Sequence, residues 1–70
     1  MANYTIELDL RQSVRDLNYR AVLTVLGKRG YPTSVELGED GDLSYRPGRE
    51  LDNETIQEIE QIPGVKVKQW

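Results

Sequence analysis

The sequence predicts an α+β fold in which elements follow one another as β-α-β-β-α-β. The four strands form one antiparallel sheet in spatial order 4-1-3-2, with both helices on one face. Three observations predict it. Tyr4 to Leu10 and Val65 to Trp70 each alternate apolar and polar residues with a period of two, the pattern of a strand with one buried face. Two intervening stretches carry apolar residues at three- and four-residue spacings, as amphipathic helices do. Between those stretches, Gly38-Glu39-Asp40-Gly41 separates two short alternating segments, and glycine there accepts the positive φ that tight hairpins need. Right-handed crossovers place the two terminal strands side by side in the middle of the sheet.

Taken in order, the first strand puts Tyr4, Ile6, Leu8 and Leu10 on one face and Asn3, Thr5, Glu7 and Asp9 on the other. Ser13 offers a helix N-cap, with Asp16 near the first turn. The first helix is expected from about Val14 to Arg29. Val14, Leu17, Ala21 and Val25 form its inner stripe, joined by Val22 and Leu26. Tyr19 and Leu23 fall at the flank of that stripe. Gly30 suits the C′ position, and Lys28 and Arg29 suit the negative end of the helix dipole. Thr33–Leu37 and Asp42–Arg46 form the hairpin, with Val35 and Leu37 facing the same way as Leu43 and Tyr45. Pro47-Gly48 ends it. Asp52 is the N-cap of the second helix, and Leu51 can contact Ile56 as a hydrophobic staple. Ile56, Ile59 and Ile62 form a narrow inner stripe, and Pro63-Gly64 turns the chain into the last strand.

Composition narrows the chemistry. Seventy residues make one domain, and a chain this size buries only about 60% of its unfolded surface. With no Cys and no His, disulfides, thiolate metal sites, imidazole ligands and Ser–His or Cys–His nucleophiles are all excluded. Neither a cofactor nor an enzymatic activity is expected. The longest apolar run, Ala21-Val22-Leu23, is far short of the roughly 20 residues of a membrane span. The start M-A-N-Y-T-I lacks the charged and apolar regions of a signal peptide, so the cytoplasm is the expected compartment.

The net charge is −3, and nine of the twelve acidic residues lie between Glu36 and Glu60, opposed only by Arg46 and Arg49. Such an acidic region repels phosphate backbones and argues against nucleic acid as partner. Clustered carboxylates at Glu39, Asp40 and Asp42 lack the ligand spacing of an EF-hand and read as a polar turn.

The element order resembles the ferredoxin-like split β-α-β. Ile59 to Val67, I-E-Q-I-P-G-V-K-V, resembles the last helix-to-strand turn of small regulatory domains of the ACT type. Leu23 to Ile62, with L-G-K-R-G, V-E-L-G-E-D-G-D-L-S-Y-R-P-G-R-E-L and T-I-Q-E-I, is similar to small docking domains of the tubulysin-synthetase type. That resemblance implies capture of a peptide as an added strand along the Ser34–Leu37 or Asp42–Arg46 edge.

The expected function is a small non-catalytic protein-interaction or regulatory protein, monomeric or homodimeric, whose partner is another protein. The candidate contact residues are Asp42, Ser44 and Arg46 on the hairpin, Glu54, Glu58 and Glu60 on the acidic second helix, and Trp70 on the open sheet face. One alternative is a phage-encoded inhibitor of a host complex, of the anti-CRISPR kind, that mimics nucleic acid with its carboxylates. The other is a ligand-binding regulatory dimer.

Overall fold

The computed structural model describes residues 3–9 and 11–69, with Gln12 and Ser13 described by backbone alone. Leu10 and Trp70, to which the sequence assigned a core and a contact role, lie outside the described residues. The elements run β1 (Tyr4–Glu7), α1 (Gln12–Lys28), β2 (Val35–Leu37), β3 (Leu43–Tyr45), α2 (Asn53–Glu60) and β4 (Lys66–Gln69). They form one antiparallel sheet in the order β2-β3-β1-β4. The terminal strands do pair, Ile6 opposite Val67 and Glu7 opposite Lys66. Only β1 is central, however; β4 forms one edge and β2 the other.

Strand parity decides the core. Tyr4, Ile6, Leu43 and Tyr45 turn inward and are buried, as are Val22, Val25 and Leu26 from α1 and Ile59 from α2. The opposite parity carries Thr5, Ser44, Glu36 and Lys68, which stand in one cross-strand row on the open face. The hairpin turn is a three-residue loop. Gly41 has φ 89° and donates its N–H to Gly38 C=O at 3.1 Å, while Gly38 N–H meets Asp42 C=O at 2.9 Å.

A local signal ends α1 and another starts α2, while α1 begins otherwise than expected. Gly30, at φ 79°, donates to Gly27 C=O at 3.2 Å, and Tyr31 N–H reaches back to Leu26 C=O at 2.9 Å, together a Schellman motif. Asp52 caps α2 by accepting Thr55 N–H at 2.7 Å. At the start of α1 the expected Ser13 cap is not used. Arg11 is the N-cap residue, its C=O already accepts Arg15 N–H at 2.9 Å, and Ser13 lies inside the first turn. Asp9, just upstream, accepts Arg11 N–H at 2.9 Å and so fixes the entry to the helix.

The inner face of α1 is also rotated from its expected setting. Leu17 is 66% exposed, and its neighbour Asn18 is only 4% exposed. Asn18 continues the Val22–Leu26 face one turn upstream, close beside Gly64 and Asp9. Leu37 departs in another way. It has inward parity, yet it is 63% exposed, on an edge strand where an open cavity separates it from Arg15, Asp16 and Tyr19 of α1.

Three tyrosine hydroxyls tie loops to this core. Tyr45 Oη donates to Pro32 C=O at 2.6 Å, and burial above all, with the neighbouring Tyr31, pushes its pKa up to about 12. Tyr31 Oη accepts Asp52 N–H at 3.2 Å and lies 3.3 Å from Asp52 Oδ2, while the Arg49 guanidinium lies 4.3 Å above the Tyr31 ring. Tyr4 Oη accepts the buried Leu51 N–H at 2.8 Å. Tyr4→Phe therefore strands a buried donor, and urea unfolding should record a loss of about 1–3 kcal/mol. A variant as stable as wild type would mean that the loop before α2 repacks at no cost.

Candidate functional site

The predicted contact residues separate into three groups according to what surrounds them. The first comprises the α2 carboxylates, of which Glu58 and Glu60 bond back to the fold while Glu54 stays exposed. Glu58 is 25% exposed at its side chain. Its Oε1 accepts Arg29 Nε at 2.8 Å and Nη2 at 2.6 Å, and its Oε2 accepts Lys28 Nζ. Arg29 also lies 3.8 Å from the outlying carboxylate of Glu54. Glu60 Oε2 accepts Val67 N–H, on the outer edge of β4, at 3.1 Å. The end of α1 thus gathers much of the acidic charge of α2, as the helix dipole favours for cations at a C-terminus. Charge that appears unopposed along the chain is opposed across it.

This arrangement has a pH consequence. Hydrogen bonds from Lys28 and then Arg29 hold the Glu58 carboxyl below its ordinary value of 4.5. Its folded value is lower than its unfolded one, so its contribution to stability is fully present above the ordinary value. It is lost as pH falls through the folded value. Glu58→Gln should melt below wild type at pH 7, and the gap should narrow as the melts are repeated toward pH 3. A gap independent of pH would assign Glu58 a packing role alone.

The second group is the hairpin. Asp42 is half-buried. Burial first, then the nearby Asp40 and Glu7, raises its pKa. Its N–H donates to Asp40 Oδ1 at 3.1 Å, so the acidic turn is stitched by its own carboxylate. Ser44 and Arg46 are exposed, but β3 is paired on both sides and offers no backbone edge. Trp70, the third group, lies outside the described residues.

The available edge is β2. Because Gly38 N–H already points at Asp42 C=O, alternation along the strand turns the backbone groups of Val35 and Leu37 away from β3. Shallow cavities flank this edge on both faces. One, of about 200 Å³, lies on the open face among Ser34, Val35, Glu36, Ser44 and Arg46. The other, of about 210 Å³, lies on the helix side among Leu8, Arg15, Asp16, Tyr19 and Leu37. The Ser34–Leu37 edge, with Glu36 and Leu37, is the one the docking-domain resemblance implies, although neither residue is among the named contact residues. Parity alone turns Leu37 toward the core, but its place on an edge strand beside an open cavity leaves it exposed.

The other edge is guarded. Glu60 occupies the Val67 N–H, and Lys66 and Lys68 line β4, both familiar ways of discouraging strand addition. No helix among the described residues is long and apolar enough to cross a membrane. No protein-family model matches the chain, and neither does any curated protein or solved structure.

Proposed function

We propose that the chain is a small non-catalytic protein-interaction module whose contact surface is the β2 edge. The observation that carries this reading is the asymmetry of the two sheet edges. At β2 the outward backbone groups stand beside a Leu37 that is 63% exposed, whereas at β4 an outward N–H is taken by Glu60. An extended segment of a partner pairs with such an edge through main-chain hydrogen bonds and gains selectivity from alternate side chains. The charge-mimic reading draws on α2, and there Glu58 is committed to Lys28 and Arg29.

Val35→Pro tests the proposal. Its N–H points outward, so proline removes no bond to β3 but obstructs an added strand. Affinity capture from native lysate should recover a stoichiometric partner with wild type and lose it with Val35→Pro, while the variant keeps the wild-type circular dichroism. Glu54→Lys should retain the partner. Retention by Val35→Pro together with loss by Glu54→Lys would move the contact to α2.

A further inference from the structure

The β2 edge has a chemistry as well as a free backbone, and the chain contains its own template for what pairs with such chemistry. β2 reads Val35-Glu36-Leu37, apolar–acidic–apolar, with Glu36 on the open face. The end of β1 carries a similar run, Ile6-Glu7, followed just past the strand by Leu8. On its β4 side, Val67 stands opposite Ile6, Lys66 opposite Glu7, and Lys68 Nζ reaches Glu7 Oε2 at 3.1 Å; its other neighbour is β3. On that side an acidic residue beside apolar ones is matched by an antiparallel strand whose Lys66 lies between Val65 and Val67 and whose Lys68 makes the ion pair. Glu7 has its basic strand. Glu36 has no ion pair among the described residues; Arg46 lines the same cavity, but one strand inward.

Resting on the edge-binding reading above, we infer that β2 takes an antiparallel extended segment of another protein in which a Lys or Arg lies between two apolar residues. With Val35 and Leu37 supplying the outward hydrogen bonds, Glu36 falls at the non-hydrogen-bonded position, where facing side chains approach most closely. A basic residue there meets Glu36 on the open face. The apolar residues on either side point to the helix side, one of them onto Leu37 at the mouth of the cavity that Tyr19 and Leu8 also line. Opposite charges directly across two strands favour pairing, and like charges oppose it.

The experiment uses two capped peptides, Ser-Val-Lys-Val-Ser and Ser-Val-Glu-Val-Ser, titrated into the full chain and followed by the backbone amide signals of Val35, Glu36 and Leu37. The Lys peptide should shift those signals and bind about two- to tenfold more tightly than the Glu peptide. Glu36→Lys, an exposed substitution that leaves the core untouched, should invert the order. Equal affinities, or no shift at β2 with either peptide, would overturn the inference. If Val35→Pro still abolished partner capture in that case, the edge reading would survive and only the partner's chemistry would be wrong. Self-association of the unliganded chain in sedimentation, removed by Glu36→Lys, would assign the edge to β4 of a second copy and also overturn it.

Discussion

Ile59→Ala should remove roughly half of the fold's stability and lower its melting temperature by roughly 10 °C or more. Ile59 is fully buried and is the central residue of the α2 stripe, flanked by the half-buried Ile56 and Ile62. Truncating a buried isoleucine to alanine costs about 2–5 kcal/mol, made up of lost transfer energy and the cavity left behind. A domain of this length is stable by only about 4–10 kcal/mol. α2 has eight residues, too few to persist without packing, so losing its anchor also frees the α1–α2 contact. The measurement is a thermal melt by circular dichroism beside Ile56→Ala, whose half-buried side chain should cost less. A cooperative melt of Ile59→Ala within a few degrees of wild type would contradict the central place given to α2.

Gly64→Ala should destabilise the fold more than Gly48→Ala, although both glycines have φ above 80°. At Gly48 an added Cβ meets nothing within 4 Å, so the cost is the left-handed backbone alone, about 1–2 kcal/mol. At Gly64 the same Cβ would lie 3.0 Å from Asp9 Cβ, 3.1 Å from Asp9 Oδ2 and 3.4 Å from Asn18 Nδ2. Asp9 cannot simply swing aside, because its carboxylate holds the Arg11 N–H and guanidinium at the entry to α1. Nor is there room for Asn18, which is buried at the same place. Urea unfolding of the two variants separates the terms. Equal losses would mean that Asp9 and Asn18 move at no cost, and that the turn before β4 does not set the position of α1.

This close approach is what sequence periodicity could not register. Leu17 and Asn18 are adjacent, and hydrophobicity alone assigns the inner stripe to Leu17. The wall that Asn18 meets at that level is the backbone of Gly64 and the side chain of Asp9, where space is short. Signals confined to a few residues fared differently. Asp40-Gly41 forms the hairpin turn, Gly30 takes the C′ position, and Asp52 caps α2, because each depends on its own φ or on a neighbour three residues away. The Ser13 cap failed because Asp9 and Arg11 start the helix earlier.

The candidate surface divides along the same line. That the hairpin carries an edge was readable from element order, and so was the concentration of carboxylates after Glu36. Which carboxylates face solvent was not. Glu58 meets partners 29 and 30 residues away, and Glu60 reaches across the Pro63-Gly64 turn to Val67. By itself the sequence determined the element order, the sheet order and the parity of the strands, since period-two alternation and turn chemistry act over a few residues. Tertiary structure alone decided the rotation of α1, the pairing of Glu58 with Lys28 and Arg29, and the exposure of Leu37. Each of these depends on how far one packed element extends over another, and no local stretch of chain encodes that distance.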